Sequence, residues 1–371
     1  MQTTIQIKLL PNKFQAELLV QTMREYIAAV NNIVSQCIAE GKALYLSSKD
    51  IHAYLQSSVK AEVSKTAKSM YKTHCKRVKE AEFYNKRHPQ KPKRMPEVPI
   101  AKKPIASWNN QNFKVCYNEI QFPVLIDGKS KRIAVKAIIP DDKLEQLSNS
   151  KLGNLRITQK NGKFIAQIAI EQEELTLSSD KVMGIDLGIK CPAVCCTDEG
   201  EVKFVGNGRR NKYIRRKFKS RRRKLQKKKK INAVKRINNK EQRVMRDINH
   251  KLSREIVNFA IKHNVAVIRL EELANIRKET SKSRKNNYSI STWSFYQLAQ
   301  FIEYKAALVG IRVEYVNPAY TSQRCPHCGI LNHAKDRGYK CSCGYKGHRD
   351  IVGAKNICFQ VPVSHGKSVA A

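Results

Sequence analysis

KVMGIDLG, residues 181–188, sets an aspartate in the middle of an apolar run. Ile185 and Leu187 flank Asp186, so the stretch reads as a buried strand carrying one charge. A carboxylate in such a frame costs free energy unless it is paired or binds a cation. The segments that follow have the same texture. PAVCCTD (192–198) and EVKFV (201–205) are strand-like and joined by tight connections, which predicts an antiparallel meander. Residues 241–263 carry Met245, Ile248, Leu252, Ile256 and Phe259 at helical spacing. VAVIRL (265–270) is a buried strand, and the polar stretch 274–290 reads as a mobile loop. Residues 291–310 form a second amphipathic helix, with Ser291 or Thr292 as cap and Gly310 as stop. RVEYV (312–316) is a further strand, and a short helix begins near 350.

The order strand, strand, strand, helix, strand, helix, strand, helix is that of an RNase H-like α/β fold. Two more acids sit at its element ends. Glu271 closes the strand VAVIRL, and Asp350 opens the last helix. Three carboxylates brought together could hold two divalent ions about 3.5–4 Å apart, one activating water and one stabilising the leaving oxygen of a phosphodiester. Mg²⁺ (or Mn²⁺) suits such a set of hard oxygen ligands. Each acid also has an ordinary reading: Asp350 as a helix N-cap, Glu271 and Glu272 as strand-end charges. Glu271 is the better ligand of that pair, because it follows the strand directly.

Between the last strand and Asp350 stands CPHCGILNHAKDRGYKCSCG (325–344). Cys325-x2-Cys328 and Cys341-x-Cys343 have spacings that let four thiolates converge on Zn²⁺. His327, His333 or His348 could replace one ligand, but four thiolates is the simpler set. A site closed by four thiolates is structural, stapling a loop too small to own a core. The other cysteines, Cys37, Cys75, Cys116, Cys191, Cys195, Cys196 and Cys358, read as core thiols of a reducing compartment, since MQTTIQIKLL has no signal-peptide core.

Composition names the partner class. Lys and Arg number 71 against 31 Asp and Glu, a net charge of +40, which calls for a polyanion such as nucleic acid. A passive nucleic-acid coat protein would share that charge. No run approaches the length of a membrane span. The densest basic run is 209–230, with Arg209, Arg210, Arg215, Arg216, Lys217, Arg221, Arg222 and Arg223 as candidate contacts; alone it would repel itself, and on a phosphate backbone it could order as a helix. Upstream, residues 2–9 alternate as a strand. Residues 13–40 repeat Phe14, Leu18, Met23, Ile27, Val30, Val34 and Ile38 at helical spacing up to Gly41, and more helix is expected from about 49 to 84. The Pro- and Lys-rich stretch 85–106 reads as an extended basic connector. NFKVCYNEIQFPV and KRIAVKAII are strand-like, and Lys160-Asn161-Gly162 between two alternating runs signals a hairpin. A helical segment is thus inserted into a β-domain.

Taken together, these residues resemble the TnpB family encoded by bacterial insertion sequences, compact relatives of type V CRISPR effector nucleases. GIDLG resembles the first RuvC-like motif of the family, LEEL (270–273) the second and RDIVGAKNI (349–357) the third; NPAYTSQRCPHCG (317–329) resembles the approach to its zinc ribbon, and DINHKLSREIV (247–257) the helix before the second motif. Glu272 stands where the family more often has Asp, and CxC closes the zinc ribbon instead of CxxC. The resemblance implies a multidomain α+β protein. A β-barrel wedge domain (1–12 and 107–178) would hold an inserted helical recognition domain with its connector (13–106). A RuvC-like nuclease domain (179–318 and 347–371) would hold an inserted zinc ribbon (319–346). It implies an RNA-guided DNA endonuclease of the prokaryotic cytoplasm and nucleoid, with Asp186, Glu271 and Asp350 catalytic and Mg²⁺-binding. Its partners would be a guide RNA from the transposon end and double-stranded target DNA beside a short adjacent motif. Alternatives are a nuclease-inactive guided repressor, a compact CRISPR effector, and a transposase proper; oligomeric state is left open.

Overall fold

The computed structural model describes residues 2–173, 175, 177–237, 239–273, 288, 290–334 and 336–362. They fall into two compact units, Met1–Glu173 and Glu174–Ala371, so the division lies five residues before the expected boundary at 178.

In the first unit, β1 (Gln2–Leu9) is followed by two long helices, α1 (Lys13–Ala39) and α2 (Ser57–Arg87). Then come β2 (Ile105–Trp108), β3 (Lys114–Cys116), β4 (Glu119–Ile126), β5 (Lys129–Ile138), a short α3 (Asp141–Ser148), β6 (Lys151–Lys160) and β7 (Lys163–Glu171). The strands form one antiparallel sheet in the order β2-β6-β7-β1-β5-β4-β3. A side chain ties the first strand of that order to the last but one: the Trp108 indole N–H of β2 donates to the Pro123 carbonyl of β4 at 2.9 Å. The N-terminal strand thus lies mid-sheet, with the helices inserted after it, as the sequence pattern predicts. β1 buries Ile5, Ile7 and Leu9 by alternation. α1 buries Leu19, Met23, Tyr26, Val30, Val34 and Cys37 at helical spacing against that face.

Turn chemistry fixes the registers. Asn161 and Gly162 both take positive φ, so Lys160 pairs with Lys163 across the expected hairpin. Asp127 and Gly128 do the same between β4 and β5, a hairpin signal equally present in the sequence. Three expectations shift. α2 begins at Ser57 instead of about 49, and runs through Arg87 into the supposed connector. β2 begins at Ile105, two residues before the expected domain edge. The connector between them is extended, and Asn31 of α1 holds it by a two-way amide contact with the Ala101 backbone (2.8 and 3.2 Å).

The second unit contains β8 (Val182–Asp186), β9 (Ala193–Thr197), β10 (Val202–Val205), α4 (Gly208–Lys227), α5 (Ile231–Ile237), α6 (Lys240–Lys262), β11 (Val267–Glu271), α7 (Phe295–Ala307), β12 (Arg312–Val316), β13 (Gly338–Lys340), β14 (Lys346–His348) and α8 (Arg349–Phe359). Five of the strands make a sheet in the order β10-β9-β8-β11-β12. β8, β9 and β10 are antiparallel; β11 joins β8 and β12 in parallel. The element order expected from sequence is therefore present, with α4 and α5 added. α7 starts at Phe295, with Ser294 at the cap position instead of Ser291 or Thr292, and ends before Gly310, whose φ is +79°. The expected loop 274–290 lies almost wholly outside the described residues.

Candidate active site

Asp186 and Glu271 stand at the same end of neighbouring parallel strands. Ile185 pairs with Leu270, which sets the two acids side by side one residue further on. β8 is the meeting point because both its faces are covered: α6 and α7 supply the core on one side, and α8 crosses the other. Gly184 makes that crossing possible. A Cβ there would stand 2.2 Å from the Ala354 carbonyl and 2.4 Å from the Cys358 nitrogen, so any larger residue would push α8 off the strand. Gly353 plays the same part from the helix, where a Cβ would come within 3.0 Å of the Asp186 carboxylate. These two glycines bring the first turn of α8, with Asp350, over Asp186. All three acids line one open cleft with Lys190, Thr321, Arg337 and Arg349.

The electrostatics are those of crowded, partly desolvated acids. Burial pushes the Asp186 carboxyl up to about 8, and the charges of Glu271 and Asp350 push the same way; Arg337 and Arg349 oppose them. Burial also raises Glu271, against a hydrogen bond from Thr321 Oγ1 at 2.5 Å. Thr321 is itself placed by Asn356 of α8, whose Nδ2 donates to the Thr321 and Arg324 carbonyls at 2.7 Å each. Asp350 is ion-paired with Arg337, and its backbone N–H donates to His348 Nδ1 at 3.3 Å, so His348 caps α8. Asp350 therefore is not the cap residue that its ordinary reading would make it. Glu272 does not line the cleft; with Glu271, Tyr315 and Glu303 it lines a neighbouring hollow, and its N–H continues the sheet to the Val316 carbonyl. Thr321, Arg337, Asn356 and the two glycines did not emerge as site residues from the sequence. The glycines had a signal, since each interrupts an otherwise good strand or helix.

The cysteines gather in the segment between β12 and α8. The Sγ atoms of Cys325, Cys328, Cys341 and Cys343 all lie within 4.8 Å of one another, with 3.7 Å between Cys325 and Cys343 and 3.4 Å between Cys328 and Cys341. Each pair sits on a turn closed by a glycine of positive φ, Gly329 or Gly344. The Gly329 N–H donates to the Cys325 carbonyl at 3.0 Å and the Gly344 N–H to Cys341 at 3.1 Å, so the shorter CxC turn reproduces the CxxC turn. His348 is committed to α8, and the donor set fits one tetrahedral Zn²⁺ without a histidine. The remaining seven cysteines are free thiols, with Cys37, Cys195, Cys196 and Cys358 buried and the others half-buried.

The basic run is a helix. α4 is capped by Asn207, whose side chain accepts from the Arg210 N–H at 3.1 Å. Arg215 and Arg222 turn inward onto Glu241 of α6, at 3.5 and 2.6 Å. Arg209, Arg210, Arg216, Lys217, Arg221 and Arg223 are exposed. No described helix is long and apolar enough to cross a membrane.

A family profile described as "Probable transposase" matches residues 166–277, and one described as "Cas12f1-like, TNB domain" matches residues 295–357. The first span carries Asp186 and Glu271; the second carries Asp350 and the four cysteines. TnpB-like protein MJ0751 of Methanocaldococcus jannaschii is 30% identical over 255 residues, which cover 63% of this chain and 88% of that protein. The chain belongs to the TnpB family. The CRISPR-associated endodeoxyribonuclease Cas12f1 of Sulfoacidibacillus thermotolerans is 31% identical over 218 residues, 53% of this TnpB-family chain. The chain matches 50% of the length of that relative. Among solved structures, a Cas12f1 in complex with sgRNA and target DNA has a TM-score of 0.62 at 16% identity, over 92% of this chain and 81% of that one. At that identity the likeness is one of fold, an α+β architecture; in this chain the four cysteines form a cluster compatible with a zinc site.

Proposed function

We propose that this TnpB-family chain is an RNA-guided DNA endonuclease of a transposon, cutting double-stranded DNA matched to a guide RNA beside a short adjacent motif. The observation that carries the reading is the convergence of Asp186, Glu271 and Asp350 on one open cleft, reached from β8, β11 and α8. The names of the relatives, an endodeoxyribonuclease and a TnpB-like protein, support the same class. In this reading the second unit is a RuvC-like, RNase H-like nuclease domain with an inserted zinc ribbon. The first unit is a wedge domain with its helical recognition insertion.

The carboxylates fit a divalent cation. Asp186 is desolvated and repelled by Glu271 and Asp350 more than Arg337 and Arg349 relieve it, so it holds a proton until a cation replaces it. Asp186, Glu271 and Asp350 would hold Mg²⁺ or Mn²⁺, which supplies activation of water and neutralisation of the leaving oxygen of a phosphodiester. Thr321 fixes the rotamer of Glu271 and lowers its proton affinity. Arg337 neutralises Asp350 in the metal-free chain and is placed to meet a phosphate when that pair opens. The exposed cations of α4 hold a nucleic-acid backbone by charge, leaving sequence to base pairing. Cys325, Cys328, Cys341 and Cys343 would hold Zn²⁺, which shapes the segment that carries Arg337.

The test is cleavage of a plasmid bearing a guide-matched target by protein purified with the RNA of its own locus. Asp186→Ala, Glu271→Ala and Asp350→Ala should each lose essentially all cutting, because ligands of a shared site act as a unit. RNA binding should persist. A guided repressor would leave the plasmid intact with the natural chain as well, and cutting by all three variants would put the active site elsewhere.

A further inference from the structure

Helix α4 does not lie on the core along its length. Of its residues only Gly208 is buried. One face, through Asn211, Lys212, Arg215, Arg216 and Lys219, roofs a cavity of about 370 Å³. The floor of that cavity mixes apolar and aromatic side chains with the polar Asn249, Thr292 and Ser294. Met245 and Leu298 are buried members of the core, and Trp293 leans on Phe295 with ring centroids 5.1 Å apart. Lys219 closes one end, its ammonium 3.8 Å from the Tyr288 ring centroid. Arg215 is spent on Glu241, but Lys212 and Arg216 have no ion-pair partner among the described residues.

We propose that this cavity takes one unstacked nucleotide of a single-stranded nucleic acid, its base against Trp293 and its flanking phosphates on Lys212 and Arg216. The inference rests on the nucleic-acid reading above and adds a site to it, next to the carboxylate cleft, with which it shares Gly188. A purely apolar ligand would leave the two cations at the cavity's rim without a counter-charge. A bare polyphosphate would leave the aromatic floor unused. A nucleotide satisfies both, because every base has a face that stacks and every link carries a charge. The stack is indifferent to sequence, which suits a protein whose specificity lies in base pairing.

The chain has two tryptophans, Trp108 and Trp293, so intrinsic fluorescence reads the site in the full-length protein. Binding is followed by anisotropy with short oligo(dT) and with an abasic oligomer of equal length, and tryptophan emission is recorded in parallel. Oligo(dT) should quench emission and the abasic strand should not, although both bind in a salt-dependent way. The quench should vanish in Trp293→Phe. Lys212→Glu with Arg216→Glu should weaken oligo(dT) binding by roughly tenfold and flatten its salt dependence. Binding of oligo(dT) without any change in emission overturns the proposal, as does equal quenching by the abasic strand or a quench that survives in Trp293→Phe. If neither strand binds at all, the nucleic-acid reading of the chain fails with it.

Discussion

The four cysteines come from residues 325–343, whereas the three carboxylates come from a strand at 186, a strand at 271 and a helix start at 350. The first set is brought together by two tight turns with glycine at the left-handed position and by the short β13–β14 hairpin. Of the ribbon's described residues, Cys325 and Tyr339 are the buried hydrophobic ones, and they pack on Val352 of α8. The second set is brought together by a parallel strand register and a helix crossing at a glycine, on a sheet with an extensive core. A local site needs its metal to have a shape. A site built by the sheet has its shape already and needs its metal only for chemistry. The two meet where Arg337 of the cysteine segment pairs with Asp350 of the cleft and where Thr321, at the start of that segment, donates to Glu271.

Removing zinc should expose this contrast most forcefully. Cys325→Ser, or treatment with a strong chelator, should release the one zinc per chain and make residues 319–348 sensitive to protease. Because Arg337 is positioned by that segment, cleavage should fall to a few per cent or less. The carboxylate variants should show the opposite pattern: dead, but resistant to protease and no less stable to heat, since each removes a carboxyl group from a crowded site. Metal analysis and limited proteolysis on the same preparations separate the two. Well-folded, protease-resistant protein without zinc would refute the division drawn here.

The legibility of the two sites differs for the same reason. The cysteine set could be read from spacing alone, since each pair of ligands and its turn lie within a few residues. Of the cleft, the acids were legible as charges at strand and helix ends. Their supports were not. Thr321 touches Glu271 only because Asn356 of α8 holds its backbone, and neither residue carries a local pattern that names the other. Arg337 looks like any other arginine of a chain with a net charge of +40. α4 was legible as a basic run, but not the inward turn of Arg215 and Arg222, because Glu241 becomes their neighbour only when α6 folds back. In the first unit, the Asn161-Gly162 hairpin was read directly, whereas the start of α2 was missed because 49–56 has helical composition without a capping side chain at the observed N-cap, Gln56.

A smaller effect tests the cleft as a proton-holding site. The folded-state pKa of Asp186 lies at about 8, above its ordinary 3.8, so the folded metal-free chain keeps its proton longer than the unfolded chain does. Stability of the metal-free protein should therefore fall as pH rises from about 4 to about 8, since the unfolded state sheds the proton first. A cation must displace that proton. Mg²⁺ affinity should weaken by about tenfold per pH unit below about 8 for each proton released, and calorimetry in buffers of different ionisation heat should count the release. Binding that is flat between pH 6 and 8, with no proton released, would mean that Asp186 is ionised before the metal arrives.

The smallest expected change sharpens the comparison at a single hydrogen bond. Thr321 belongs to the segment leading into the cysteines, yet its hydroxyl serves the cleft by donating to Glu271 at 2.5 Å. Thr321→Val keeps the shape and removes the donor. Without it the Glu271 carboxyl, already raised by burial, rises further, because the one interaction that lowers it is gone. A hydrogen bond to a charged group contributes about 1.5–3 kcal/mol, so Mg²⁺ binding should weaken by roughly 10- to 150-fold. Cleavage should fall at low Mg²⁺ and return at high Mg²⁺ or at higher pH, while zinc content stays at one per chain. Thr321→Ser, which restores the donor, should behave like the natural chain. Zinc loss on Thr321→Val would show instead that the hydroxyl holds the ribbon, and the boundary between the two sites would have to be redrawn on the far side of residue 321.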